Sequence, residues 1–387
     1  MSAAEVARCL EPQERFEALR AHHLRRSGGK LVDLAYPNAE ALIPGVREAL
    51  AATLADLEGR DLQYTPYGGA TTARRLAAHA LERTHRLGLK HTDVVLTPGA
   101  MAALSVVLAA VREEDGDEAL LVSPCWLDGP AYAWQQGLRP VLAKVHPDTG
   151  RLDPRSIERA LSPRTRVVML AQPSNPTGVL YTRDELEELA ARLSSMPRPP
   201  LLIADECHRD FVFAPETFLS PAEVYPRTAI VYSIGKRLRM QGQRLGYVAF
   251  APALRDEGWA TRAIRLCRSL GHATPTALMQ RALPRLLELE PHIDLVSDRR
   301  ALAADMLQHA GYALMPGKHT MFVYARTPRP AEDDFAFADD AARAGVLVMP
   351  SSLFHEPGCF RITVTPSEET LARGLALLAR MRGRRAA

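Results

Sequence analysis

The chain has 387 residues, of which 47% are hydrophobic and 24% are charged, as in ordinary globular proteins. This length allows a large core and two domains. The net charge of +3 is too small to indicate a nucleic-acid or membrane partner.

The N-terminal residues lack the apolar core of a signal peptide, and the longest apolar run, MAALSVVLAAV, is too short to cross a bilayer. The cysteines are scattered and form no C-x-x-C pair: Cys9, Cys125, Cys207, Cys267 and Cys359. This spacing favours reduced thiols in a cytoplasmic protein and predicts neither a disulfide framework nor a metal site.

Strand-like and helix-like segments alternate through the middle of the chain. The strand-like segments are short and rich in Val, Ile and Leu: DVVLTPG, EALLVSP, RPVLAKVH, TRVVMLAQP, PLLIADE, TAIVYSIG and RLGYVAF. Helix-like segments follow the first four, and in the last of these Thr182 and Glu185 have the spacing of a capping box. Strands buried on both faces have this composition, so the pattern predicts an α/β fold with a mostly parallel sheet between helices.

The pattern changes after about residue 285, where long amphipathic helices mix with single strands such as TMFVYAR and CFRITVTP. This mixture is typical of a smaller α+β domain. We therefore predict an N-terminal segment (1–44) that joins the small domain, a large domain (45–285) and a small C-terminal domain (286–387).

Ligands of such sheets bind beyond the carboxyl ends of the strands, so the residues there are candidates for function. They are Gly99, Ala100, Met101, Trp126, Asn175, Asp205, His208, Ser233, Lys236 and Arg244. Neither G-x-G-x-x-G nor G-x-x-x-x-G-K-[ST] occurs, which argues against a dinucleotide fold and a phosphate-loop NTPase. A lysine can form a Schiff base, a carboxylate can keep a ring nitrogen protonated, and a helix N-terminus with an arginine can hold a phosphate. Together these groups suit pyridoxal 5'-phosphate.

The motifs NPTG, ADE, S-x-x-K and G-x-R-x-GY occur here in the order found in class I/II aminotransferases, which the chain resembles. Arg244 lies eight residues after Lys236, which matches the family spacing. The resemblance runs from YTPYGG to FRITVTP. It implies a fold-type I pyridoxal-phosphate transferase that is a homodimer with shared active sites.

The resemblance also implies roles in binding the cofactor. Lys236 would form the Schiff base, Asp205 would pair with the pyridinium nitrogen, and Asn175 would hydrogen-bond the 3-hydroxyl. Trp126 would stack on the ring. The phosphate would be held by Gly99, Ala100, Met101, Ser233 and Arg244, and by Tyr64 from the neighbouring subunit.

On the substrate side, the resemblance makes Arg361 the clamp on the α-carboxylate, with Asn175 and Ala35 nearby. Ala35 stands where the family usually has glycine. His208 stands where it usually has tyrosine, and an imidazole can also donate a hydrogen bond to the 3-hydroxyl. His319 and Ser351 stand where glycine is usual near the substrate.

The sequence therefore predicts an aminotransferase that moves an amino group between an α-amino acid and a keto acid, with Lys236, Asp205 and His208 as catalytic residues. The departures from the family pattern at His208 and His319 leave open a lyase, cyclase or oxygen-using oxidase on the same scaffold. Such an enzyme would convert its substrate without a keto acid. A regulator built on such a domain is a further alternative, although the short N-terminal segment leaves little room for a DNA-binding domain. The sequence does not identify the amino donor.

Overall fold

The computed structural model describes residues 3–328 and 333–386. The strands are β1 (Val32–Asp33), β2 (Val94–Thr97), β3 (Glu118–Ser123), β4 (Arg139–Lys144), β5 (Thr165–Ala171), β6 (Leu201–Asp205), β7 (Thr228–Ser233), β8 (Gly246–Phe250), β9 (Phe322–Arg326), β10 (Val346–Leu347), β11 (Met349–Pro350) and β12 (Cys359–Thr363). The α-helices are α1 (Ala3–Arg26), α2 (Val46–Ala55), α3 (Thr71–His85), α4 (Ala100–Val111), α5 (Gly129–Gln135), α6 (Pro154–Ala160), α7 (Arg183–Ser194), α8 (Ile234–Arg237), α9 (Trp259–Ser269), α10 (Ala277–Glu288), α11 (Ile293–His309), α12 (Asp334–Arg343) and α13 (Glu368–Ala386).

The centre of the described chain is a seven-stranded sheet with the order β2-β8-β7-β6-β5-β3-β4. Neighbouring strands run parallel except at β8, which is antiparallel to both β2 and β7. Strands β3, β7 and β8 are buried along their whole length, whereas the edge strand β4 carries exposed residues. The predicted mostly parallel sheet is confirmed, and β4 differs from a fully buried strand because it has a neighbour on one side alone.

The helices on this sheet follow from their sequences. Helix α4 is apolar around almost its whole circumference, and it is buried against β7, β8 and α9. Helix α7 begins with the predicted capping box, in which Thr182 and Glu185 each accept a hydrogen bond from the other's backbone N–H. Both helices therefore lie where their sequence patterns place them.

The C-terminal part has its own sheet, an antiparallel one with the order β11-β12-β9. Its core contains the aromatic residues Phe322, Phe337 and Phe360. Strand β1 pairs with β10, and α1 contacts both α5 and α12. The β1–β10 pairing and the contact of α1 with α12 support, as a proposal, the division into residues 1–44, 45–285 and 286–387, with the first segment joined to the last, although α1 also packs on α5 of the large domain.

Within the described residues, no helix has both the length and the apolar character needed to cross a bilayer. The cysteines are free thiols. No cluster of three or more His, Cys, Asp or Glu residues in that part of the chain has a geometry suited to a metal ion.

Candidate active site

The parallel strands β5, β6 and β7 bring several predicted site residues to one edge of the sheet. Ala171 at the end of β5 pairs with Asp205 at the end of β6, and Asp205 pairs with Val231 of β7. The chain continues from β5 to Asn175 and from β7 to Lys236 in α8. An amide, a carboxylate and an amine therefore follow neighbouring strand ends.

A cavity of about 340 Å³ lies at this edge. We call it the strand-end cavity. The sequence-predicted residues that line it are Met101, Trp126, Asn175, Lys236 and Arg361. Since Arg361 belongs to β12, the cavity is bounded by both the central sheet and the C-terminal sheet.

Lys236 is the amine in the strand-end cavity. Burial lowers the pKa of Lys236, and the cations Arg361 and Arg244 act in the same direction, while Cys207 and Asp205 oppose them. A lower pKa increases the fraction of free amine at neutral pH. The environment of Lys236 therefore favours a nucleophile and a base.

Asp205 is a carboxylate in a desolvated environment. Burial raises its pKa, and hydrogen bonds from Cys207 and the charge of Lys236 oppose that shift. One of the hydrogen bonds runs from the Cys207 backbone N–H to Asp205 Oδ1 over 3.0 Å. A buried carboxylate is costly without a cation, and a protonated ring nitrogen beside it would offset that cost.

Arg361 is a buried guanidinium with free hydrogen-bonding capacity. Its Nη1 donates to Asn175 Oδ1 over 2.9 Å, and its Nη2 donates to the Ala35 carbonyl over 3.2 Å. The guanidinium carbon lies 3.9 Å from the centre of the Phe322 ring. The side chain is 3% exposed, and Nε has no partner within the described structure. Because burial lowers the pKa of Arg361, a carboxylate in the cavity would stabilise its charged form.

Gly99 and Arg244 form a cradle at the N-terminus of α4. A Cβ atom on Gly99 would lie 2.4 Å from Arg244 Nη2, and the φ angle of Gly99 is +80°. A Cβ on Gly246 would lie 2.9 Å from the Gly99 Cα. Ser233 is buried at the end of β7. A guanidinium against the amides of a helix N-terminus is suited to a phosphate, so this donor set fits the phosphate of pyridoxal phosphate.

His208 is buried, with 4% of its surface exposed, and its ring packs edge-on to Phe322 at 5.3 Å. Burial lowers its pKa well below the usual histidine value, and Lys236 and Arg361 add to the effect. Its Nδ1 has no hydrogen-bond partner in the part of the chain that is described. A neutral imidazole with an unused buried nitrogen can accept or donate one hydrogen bond to a ligand.

The lining residues of the strand-end cavity do not include the predicted Ala35, Gly99, Ala100, Asp205, His208, Ser233 and Arg244. Three further residues singled out from the sequence also lie outside it. Tyr64 is fully exposed on the loop before α3. His319 lines a separate cavity of about 860 Å³, where its Nδ1 accepts a hydrogen bond from the backbone N–H of Phe213. Ser351 is buried and donates to Asp334. The departures at His319 and Ser351 therefore do not change the wall of the strand-end cavity.

Sequence reasoning missed part of the cavity wall. Gln13, Phe16 and Glu17 of α1 line the cavity, as does Asp128. Asp128 lies two residues after Trp126, so the strand-end rule could have identified it. The residues of α1 gave no such signal, since their position depends on how the N-terminal helix packs on distant parts of the chain.

The comparisons with known proteins agree with this geometry. The family model for aminotransferase class I and II matches residues 33–378. A protein of Thermus thermophilus named aspartate/prephenate aminotransferase is 29% identical over 376 residues, which cover 94% of both chains. A solved aspartate aminotransferase from Thermus thermophilus with maleate has a TM-score of 0.83 at 27% identity, covering 94% of this chain and 96% of that one. An aminotransferase structure from Eubacterium rectale has a TM-score of 0.87 at 22% identity, covering 96% of this chain and 95% of that one, and it supports the fold.

Proposed function

The chain belongs to the aminotransferase class I and II family, and from that premise we propose how its residues divide the work of transamination. One observation carries the proposal. A single cavity is lined by Lys236, Asn175, Trp126 and Arg361. The Nε of the buried Arg361 has no hydrogen-bond partner among the described residues. An enzyme of this family needs an amine and a carboxylate clamp in one place, and this cavity offers both.

We propose that the strand-end cavity holds pyridoxal 5'-phosphate. When bound, it supplies an aldehyde for amines and a protonated ring that withdraws electrons from the α-carbon of an amino acid. Asp205 would keep the ring nitrogen protonated, Trp126 would cover the ring, and Asn175 and His208 would bind the 3-hydroxyl. The phosphate would be bound by Gly99, Ala100, Met101, Ser233 and Arg244.

The residues of the chain would then act on the donor as follows. Arg361 binds the α-carboxylate, and Asn175 and Ala35 fix the guanidinium through their oxygens. Lys236 Nζ takes up the α-proton of the donor and later returns it, and its lowered pKa makes the free amine available for that transfer. Phe16 and Phe322 line the cavity as apolar walls and exclude water from the transfer.

We further propose that the enzyme is a cytoplasmic homodimer with shared active sites. Tyr64 and Leu62 are large apolar side chains that are 106% and 59% exposed on one loop, and a partner subunit would cover them. The free thiols suit a reducing compartment. Light scattering after gel filtration of the wild type and of Tyr64→Ser tests the dimer, and a monomeric wild type would contradict it.

Product analysis tests the transamination itself. Purified protein is loaded with pyridoxal phosphate and incubated with a panel of amino acids, with and without a keto acid. We expect one new amino acid for each donor consumed, only when the keto acid is present, and no turnover by Lys236→Ala. Multiple turnovers without a keto acid would instead favour a lyase, cyclase or oxidase. His208, with its unpartnered Nδ1, is the residue that would motivate that alternative.

A further inference from the structure

The strand-end cavity has an unusual balance of charge on its wall. Two carboxylates line it, Glu17 of α1 and Asp128 at the start of α5. The two cations that line it in the described structure are Lys236 and Arg361, and both already have roles. No further lysine or arginine of this chain's described residues lines the cavity to receive a second carboxylate from a substrate side chain.

The two carboxylates accept hydrogen bonds from uncharged groups of the described chain. Asp128 accepts a weak hydrogen bond from Gln13 Nε2 at 3.5 Å, and Glu17 accepts one from the Tyr36 hydroxyl. Within the described residues neither forms a salt bridge, and the nearest basic residues of α1 are engaged elsewhere. Arg15 pairs with Asp333, and Arg20 pairs with Asp33.

The surroundings make the negative charge of Asp128 costly, whereas Glu17 is exposed. Burial raises the pKa of Asp128, with Gln13 opposing the shift. Burial and the hydrogen bond to Glu17 raise the pKa of the Tyr36 hydroxyl. A carboxylate that is partly desolvated and lacks a cation is stabilised when a ligand brings one.

Most of the remaining wall is apolar, with the polar side chains of Gln13, Tyr36 and Asn175 as exceptions. Phe16, Leu127 and Leu353 line it. A chain of methylene groups that ends in a cation packs its stem on apolar surfaces of this kind and keeps its charged end at polar groups. The unpartnered Nε of the buried Arg361 indicates a ligand with a carboxylate. A ligand that satisfies all these groups is anionic at one end, apolar in the middle and cationic at the other end.

On the basis of the proposed function, we propose that the amino donor is an α-amino acid with a positively charged side chain, and that Glu17 and Asp128 determine this specificity. Arg361 binds its α-carboxylate, and the two acidic residues bind its terminal ammonium or guanidinium group. The same residues repel a side-chain carboxylate. The specificity would therefore differ from that of the relatives named for aspartate.

Pairs of donors that differ mainly in charge test the proposal: L-citrulline has nearly the size of L-arginine, and L-norleucine lacks only the terminal ammonium group of L-lysine. L-Arginine is compared with L-citrulline, and L-lysine with L-norleucine, in steady-state assays of the pyridoxal-phosphate-loaded enzyme with a keto-acid acceptor. Because hydrogen bonds to charged groups contribute about 1.5–3 kcal/mol, we expect kcat/KM to be about 10-fold or more higher for the charged member. Aspartate and glutamate should be poorer donors than both.

Variants identify the residues responsible. Asp128→Asn and Glu17→Gln keep the shape of the side chain and remove its charge, so each should raise KM for the cationic donor by about 10-fold and leave the neutral analogue unaffected. Glu14→Gln, on an exposed position of the same helix outside the cavity wall, is the matched control. Binding of L-arginine and L-citrulline by calorimetry to the loaded Lys236→Ala variant gives the same comparison without turnover.

The outcomes separate this inference from the proposed function. Transamination with aspartate preferred, or with Asp128→Asn and Glu17→Gln unchanged towards arginine, would overturn the inference and leave the aminotransferase intact. If no donor transfers its amino group, the proposed function fails, and calorimetry still decides the inference. Equal binding of arginine and citrulline would then refute the role of the carboxylates.

Discussion

Replacing Gly99 by alanine should weaken the binding of the cofactor phosphate selectively. The new Cβ would lie 2.4 Å from Arg244 Nη2 and 2.8 Å from its Cζ, so the guanidinium must move away from the N-terminus of α4. The backbone conformation of Gly99, with φ 80° and ψ 175°, is also one that alanine rarely adopts, at a cost of about 1–3 kcal/mol. The displaced group is the end of a flexible side chain, so we expect the fold to survive.

The size of the effect follows from the contact that is lost. A hydrogen bond to a charged group contributes about 1.5–3 kcal/mol, which corresponds to about a 10- to 150-fold loss of affinity. The assay is a titration of the apoprotein with pyridoxal phosphate and, separately, with pyridoxal, which lacks the phosphate. The dissociation constant for pyridoxal phosphate should rise by this factor, while that for pyridoxal should change little.

Gly258→Ala is the matched control for the substitution. Gly258 also has a positive φ, +73°, but no atom lies within 4 Å of the position of its Cβ. Both variants should lose stability in urea, and only Gly99→Ala should lose affinity for the phosphate. Unchanged binding of pyridoxal phosphate by Gly99→Ala, or an equal loss for pyridoxal, would refute the assignment of the cradle.

Three more predictions concern buried charged groups. Glu206→Gln should lower the free energy of unfolding in urea by about 3–5 kcal/mol, because Glu206 and His85 form a fully buried pair at 2.6 Å. The control Glu188→Gln, at an exposed ion pair, should lower it by less than about 1 kcal/mol. Equal losses of stability in the two variants would contradict the prediction. Because burial lowers the pKa of His208 in the folded protein, the unfolded chain binds the proton more readily, so His208 reduces the free energy of unfolding as the pH falls below about 6.5. His208→Gln should flatten the fall in urea stability below that pH, by up to about 1.4 kcal/mol per pH unit, and an unaltered slope would exclude this role. Arg361→Lys should raise KM for every donor about 10-fold or more, because lysine cannot form a bidentate contact with a carboxylate, and it should leave the affinity for pyridoxal phosphate unchanged. An unchanged KM would show that Arg361 does not bind the α-carboxylate.

The central sheet, and the edge at which Asn175, Asp205 and Lys236 meet, could be predicted from the sequence because both depend on local signals. Continuous apolar runs identify buried strands, and polar residues immediately after them identify the sheet edge where ligands bind. Asn175, Asp205 and Lys236 follow this rule, and the structure brings them to the same edge. Neither the exposure of the edge strand β4 nor the antiparallel direction of β8 was predicted, since both depend on the order of strands in the sheet.

The substrate side could not be predicted in the same way. Glu17 is one of many charged residues on α1, and nothing in its spacing distinguishes it from Glu14. Its place in the cavity wall comes from the packing of α1 on α5 and α12, which lie far along the chain. His319 shows the opposite error, because a position that looks close to the substrate by family resemblance lies in a separate cavity.

The residues proposed to act on the cofactor and those proposed to bind the substrate lie in different parts of the fold, which affects how the substrate specificity could evolve. Asp205 and Lys236, the residues proposed to act on the cofactor, lie at the end of β6 and shortly after β7 in the central sheet, where a shift in position would disturb the core. Glu17 lies on the N-terminal helix, and Arg361, fixed by the carbonyl of Ala35, lies in the C-terminal sheet. Because the reaction at the α-carbon is common to all α-amino acids, substitutions on α1 can alter the side chain that is accepted without moving Lys236. The charge on α1 is therefore the feature of this chain that most directly separates its proposed donor from the aspartate for which its relatives are named.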